Sequence, residues 1–279
     1  MRRRLALCAD DFGSAPGISE AIVELVEAGR LNAVSCLANA RHWSEGAPLL
    51  RGLAARVDIG LHFNLTEGRP LSPDLARLWP RLPALPRLIA LAHLGALPRE
   101  ALGVEFEAQL EAFAGATGAV PSFADGHQHV HHLPGVRRIV LDAVERLRPM
   151  PGVRNTGHVL GPGFGLKRAL IEATGGRCLL AQLVRRGIAH NAALTGVYDF
   201  AEPDYRALML RWLAQVPGEG ALLFCHPGGA PGAIDDPIGA ARERERAYLC
   251  SDGFGADLHA AGVALGRVWR VAARTRADG

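Results

Sequence analysis

No apolar run in this chain is long enough to cross a membrane. The first apolar stretch, Leu5 to Ala9, lies between Arg2-Arg3-Arg4 and Asp10-Asp11 and is too short for the core of a signal peptide. Both absences point to a soluble cytoplasmic protein. Cysteine is scarce. Cys8, Cys36, Cys178, Cys225 and Cys250 are odd in number and form no CxxC pair, so the pattern fits a reducing compartment rather than a disulfide scaffold. Cys8 and Cys225 fall in apolar, strand-like runs, where a buried, reduced thiol is expected. A strong excess of one charge is also missing, the net charge being +3. Short basic runs occur at Met1-Arg2-Arg3-Arg4 and Arg185-Arg186. They have no aromatic platform beside them, which argues against nucleic acid as a partner. What is present is ordinary globular material, 49% hydrophobic and 21% charged over 279 residues. That length suits a single α/β barrel domain.

Several short apolar runs end in residues that can do chemistry. Leu5 to Ala9 leads to Asp10-Asp11, and Ala33 to Ala38 leads to Asn39. Asp58 to Leu61 leads to His62, Ser122 to Ala124 to Asp125 and His127, Val153-Arg154 to Asn155, and Ala221 to Cys225 to His226. Helical spacing separates them. Ile18 to Ala28 repeats Ile18, Ala21, Ile22, Leu25 and Val26 before a stop at Gly29. Glu100 to Ala114 repeats Val104, Phe106, Leu110 and Phe113, and Val136 to Leu147 and Pro203 to Val216 have the same character. Alternating strands and helices predict parallel βαβ units, with polar residues gathered at the strand C-termini. Periodicity leaves open whether the sheet closes. Two stretches, 70–98 and 161–193, read as inserts that act as lids or pack at a dimer interface.

Four constellations carry chemical potential. Asp10-Asp11 places two carboxylates side by side, which repel unless a cation or proton intervenes. The alternative is that Asp11 or Ser14 caps a helix starting near Pro16. His62 ends an apolar run and precedes Asn64, Glu67 and Gly68. Asp125 to His132 holds four of the 11 histidines, and on a strand His127, His129 and His131 would share one face. His226 ends a further apolar run before Pro227-Gly228-Gly229. An Asp, His, His set with open positions is a hydrolytic metal site, with zinc, magnesium and manganese all admissible.

Taken together, the motifs ADDFG, GLHFNLTEG, DGHQHVHHLP and CHPGG, in that order, resemble the YdjC-like (ChbG/YdjC) carbohydrate deacetylases from Ala9 to about Leu249. The blocks around His62 and His127 look most like the hopanoid-associated HpnK branch. The resemblance implies a single-domain α/β fold, a distorted TIM-like (β/α) barrel of the NodB/YdjC type, often a homodimer. It implies one divalent ion, zinc or magnesium, on Asp11, His62 and His127. It makes Asp10 the general base and His226 a candidate general acid, with a histidine of the 129–132 stretch as the alternative acid and His129, His131 and His132 otherwise unplaced. Gly126 stands where many relatives have serine. The implied substrate is an N-acetylglucosaminyl group on a hopanoid lipid, met by a protein that visits the inner membrane surface. Soluble chito-oligosaccharides are the alternative. A metal-dependent phosphoesterase or a non-catalytic sugar-binding barrel are the remaining readings.

Overall fold

The computed structural model describes residues 2–229 and 236–271. Eight strands form one sheet: β1 (Arg3–Phe12), β2 (Ala33–Cys36), β3 (Asp58–Phe63), β4 (Phe123–Gly126), β5 (Gly152–Val153), β6 (Ala193–Thr195), β7 (Ala221–Cys225) and β8 (Val263–Leu265). Their order is β5-β4-β3-β2-β1-β7-β6, with β8 paired to the start of β1. Every pairing between these strands is parallel. Such a sheet is buried on both faces, and most of its strands are accordingly continuous apolar runs. Leu5, Leu7 and Ala9 of β1 face the surrounding helices. Ala6 and Cys8 face the interior with Phe123, Leu194, Leu222 and Phe224.

The sheet curls into an incomplete barrel. Among the described residues β5 and β6 do not pair as strands, and single bridges, Val153 to His190 and Val159 to Leu194, span that gap. The floor is aromatic. Phe123 stacks on Trp269 at 4.7 Å, and Trp269 donates to Asp58 Oδ2 at 3.0 Å. Glycine makes the room, since a Cβ on Gly60 would lie 2.4 Å from the Phe123 ring. With the floor filled, the interior of the barrel opens at the C-terminal edge of the strands.

Helices cover the outer face at Pro16–Glu27, Arg99–Thr117, Val136–Val144, Arg177–Arg186, Tyr205–Ala214, Gly239–Cys250 and Asp252–Ala260. The spacing-based elements are all present, with two corrections. The cap of the first helix is Ala15, which makes no side-chain cap bond, so neither Asp11 nor Ser14 serves that purpose. In helix Arg99–Thr117 the expected core residue Val104 is 44% exposed, while Glu105 and Gln109 are fully buried. Gln109 brackets the backbone of Asn64, and Glu105 accepts from the amides of Leu71 and Ser72. A polar stripe inside the apolar face thus pins the loop after β3.

The stretch 70–98 carries helices Pro73–Leu78 and Leu85–His93 between β3 and its crossover helix. The stretch 161–193 includes helix Arg177–Arg186, which is the crossover between β5 and β6. The two stretches meet where His93 Nε2 lies 3.2 Å from the Thr174 carbonyl. Among the described residues no helix is long and apolar enough to cross a membrane.

The glycine–phenylalanine contact on the floor makes a quantitative prediction. Phe123→Ala should destabilise the fold by about 3–5 kcal/mol in urea unfolding. Gly60→Ala should cost about 1–3 kcal/mol in the wild type and clearly less in the Phe123→Ala background, because the ring it strikes is gone.

Candidate active site

In a regular strand, Asp10 and Asp11 would point to opposite faces of the sheet. β1 avoids this with a bulge. Its register against β2 slips between Ala9 and Phe12, and Asp11 adopts a left-handed φ of 68°. Aspartate tolerates that conformation better than most residues. Both carboxylates thereby turn into the mouth of the barrel, while Phe12 returns to the outer core. The two aspartates are each 3% exposed.

Asp11, His62 and His127 come together from β1, β3 and the turn after β4. One ligand atom from each lies within 4.8 Å of the others. Asp11 Oδ1 is 3.1 Å from His127 Nδ1 and 3.7 Å from His62 Nε2. That oxygen is buried and has no hydrogen-bond partner among the described residues. His62 Nδ1 lies 2.7 Å from Asp125 Oδ1 and 2.9 Å from Ser35 Oγ. A proton held there leaves the Nε2 lone pair facing the site, as in carboxylate-oriented metal ligands. His127 Nε2 lies 3.2 Å from Glu67 Oε2, which directs its Nδ1 inward in the same way.

Charge in the cluster is unbalanced toward the negative. Asp10, Asp11 and Asp125 are buried, and Glu67 stands at the rim, against Arg154 and Arg242. Arg242 contacts Asp11 Oδ2 at 2.7 Å but is shared with Asp236. Burial pushes the His127 imidazole down, yet Asp11 and Glu67 outweigh it and lift it to about 10. Burial also opposes the charge on Asp11, but Arg242 and His127 hold its carboxyl well below the usual range. A divalent cation would supply the positive charge that His127 otherwise supplies as a proton. The donor set of one carboxylate and two imidazoles fits zinc or a similar ion.

Asp10 is held differently. Arg154, fully buried at the end of β5, donates to its two oxygens at 2.6 and 2.7 Å. The same guanidinium reaches Asp125 Oδ2 at 2.5 Å. Burial would raise the Asp125 carboxyl, but Arg154 and His62 outweigh it and bring it to about 2. His226 follows Cys225, which pairs with Ala9, so it stands beside Asp10 across the sheet. Burial lowers its imidazole to about 4. Its Nδ1 is buried without a partner among the described residues, and its ring meets Phe200 and Phe224 edge-on at 5.2 and 5.6 Å. Its amide donates to Glu245 at 2.5 Å.

The histidine segment is not a strand. Residues His127–His132 form a 3-10 turn in which Gln128 and His129 are left-handed, with φ of 51° and 63°. The imidazoles therefore diverge. His127 faces Asp11, His129 lies edge-on to Phe224 at 5.3 Å, and His131 Nε2 sits 2.9 Å from the Arg154 carbonyl. His132 spans Thr156 and Thr174. Gly126 permits the sharp turn, because a Cβ there would lie 2.8 Å from the His131 amide nitrogen. Sequence reading did not find Ser35, Glu105, Gln109, Arg242 or Glu245, and gave Arg154 and Asp125 no role. Arg242 and Glu245, one helical turn apart on Gly239–Cys250, carried no signal beyond ordinary helix charge.

Comparison with known proteins agrees with this architecture. The profile of the YdjC-like protein family matches residues 4–260. A mouse protein named carbohydrate deacetylase is 32% identical over 96% of this chain and 91% of its own length. A chitooligosaccharide deacetylase from Escherichia fergusonii is 34% identical over 50% of this chain and 55% of its own length. An Enterococcus faecalis crystal structure, described as a candidate cellobiose-phosphate cleavage protein, superposes with a TM-score of 0.74. It shares 19% identity, covers 96% of this chain and 98% of its own, and shares the fold.

Two predictions follow from the buried groups. Arg154→Met strands two buried carboxylates and should destabilise the protein by about 3–5 kcal/mol in denaturant titration. Burial lowers His131 from 6.5 to about 4, so the unfolded chain takes up its proton first as pH falls. The stability that the neutral imidazole contributes is full above about pH 6.5 and lost on the way to pH 4, about 3 kcal/mol in all. Unfolding at pH 7 and pH 4.5 should show that loss, and His131→Gln should reduce it.

Proposed function

The chain belongs to the YdjC-like protein family, and from that membership we propose that it is a metal-dependent carbohydrate deacetylase acting on an N-acetylated amino sugar. The observation that carries this reading is the convergence of Asp11, His62 and His127 beside a second, separately anchored carboxylate, Asp10. A binding barrel would have no use for Asp10. A phosphoesterase would usually need more carboxylate ligands than converge here.

When bound, a divalent ion polarises the acetamide carbonyl and acidifies water. Asp10 accepts the proton of the attacking water, its orientation fixed by the two-pronged grip of Arg154. An amine leaves poorly unless protonated, and His226 is placed to protonate it. Burial keeps His226 neutral at rest, so the proton it gives to the leaving nitrogen is the one that Asp10 took from the attacking water. Phe200 and Phe224 beside His226 offer an apolar wall for the acetyl methyl.

Two substrate classes compete. Soluble chito-oligosaccharides are supported by the names of the relatives. A lipid-linked N-acetylglucosamine of the hopanoid kind is supported by exposed leucines on the two contacting stretches, Leu94 at 81%, Leu166 at 78% and Leu170 at 53%. Such leucines suit contact with a lipid surface.

Substitution separates the proposed roles. Asp10→Asn should retain metal by elemental analysis while turnover falls about 10²–10⁴-fold. Asp11→Asn should lose metal. Near-full activity in Asp10→Asn would remove the base assignment. Acetate release measured in parallel on N,N′-diacetylchitobiose and on N-acetylglucosaminyl bacteriohopanetetrol identifies the substrate class, and release from neither would overturn the deacetylase reading.

A further inference from the structure

A second concave feature lies on the outer flank of the barrel, and none of its lining residues belongs to the site above. Arg99, Arg137, Arg138, Arg185, Arg186 and Gln182 line a cavity of about 320 Å³. They come from three elements: the start of helix Arg99–Thr117, the first turn of Val136–Val144 and the last two turns of Arg177–Arg186. Five guanidiniums in one cavity repel one another unless anions stand between them.

The protein supplies only part of that anion. Arg186 pairs with Asp142 at 2.6 Å and Glu145 at 3.1 Å, and Arg138 reaches Asp142 at 3.4 Å. Arg137 donates to the His132 carbonyl, which carries no net charge. Among the described residues, no carboxylate pairs with Arg99, Arg137 or Arg185. Three guanidiniums thus face one cavity uncompensated, with the amide of Gln182 as an additional donor. The first turn of Val136–Val144 contains no acidic residue, and no side chain caps it, so its partial positive charge adds to theirs.

We propose that this cavity is a binding site for a phosphoryl dianion, such as a phosphomonoester group. A dianion offsets most of the charge of the three unpaired guanidiniums. Its tetrahedral oxygens accept the paired N–H groups that guanidinium presents, a geometry lysine does not offer. The volume admits one phosphate with a small ester substituent. The site is independent of the deacetylase chemistry and stands whether or not that reading holds.

Calorimetric titration with inorganic phosphate and with glycerol 3-phosphate tests the proposal. Flotation on phosphatidylcholine vesicles with and without phosphatidic acid tests the lipid-headgroup source of the same chemistry. Binding of the soluble phosphates, weakened at least tenfold in both Arg99→Ala and Arg185→Ala, supports a site for a free phosphoester. Binding only to phosphatidic acid vesicles, with the same sensitivity, supports a headgroup site. In either case deacetylase activity of the two variants stays at the wild-type level. Absence of binding to either probe overturns the proposal. So does binding that both variants leave unchanged, since that places the phosphate elsewhere, including at the metal ligands.

Discussion

Everything at the mouth of the barrel depends on one guanidinium. Arg154 is fully buried, yet it holds Asp10 from β1 and Asp125 from β4 at the same time. Asp125 in turn orients His62, and the Arg154 carbonyl lies against His131. One residue therefore connects the proposed base and the orientation of a proposed ligand through its side chain, and the turn that presents His127 through its carbonyl. Ion pairs this deeply buried gain little net stability over apolar packing, because removing the charges from water costs nearly as much as their attraction returns. What the arrangement provides is position. Asp10 is hydrogen-bonded through both oxygens and Asp125 through Oδ1, with the ion pair to Arg154 at its other oxygen, and the network fixes them together.

The centre is held by opposing charges of unequal number. Asp10 is satisfied within the protein, whereas Asp11 keeps a buried oxygen without a partner. Two adjacent residues thus have different electrostatic surroundings, and that difference is what lets the proposed base and the proposed ligand be neighbours in sequence. The bulge at Asp11 makes the difference geometrically available, since only an irregular strand turns neighbouring side chains into one cavity.

Much of this was legible in the residues. Strand ends, crossover helices and the grouping of Asp10, Asp11, His62, His127 and His226 at one edge all follow from apolar runs that stop at polar residues. What sequence could not give was the partner of each group. Arg154 looks like the ordinary end of a short strand, and its target lies 144 positions away. Glu105 and Gln109 look like solvent-facing helix residues because such polar side chains are typical of an exposed face. Only the packed loop after β3 reveals that they bind its backbone. The histidine run misled by its spacing, because alternation implies a shared face only on an extended backbone. Gly126 allows a turn tight enough to send the four rings in different directions.

The central position of β1 has a kinetic consequence. It pairs with β2 nearby in sequence but also with β7 and β8, more than two hundred residues later. Contacts so distant along the chain form late and slow the folding of the domain. During synthesis the two aspartates leave the ribosome more than two hundred residues ahead of His226, Arg242 and Glu245. Until they arrive, the first strand has an open edge exposed to other chains, and that interval is when this protein is most vulnerable to aggregation.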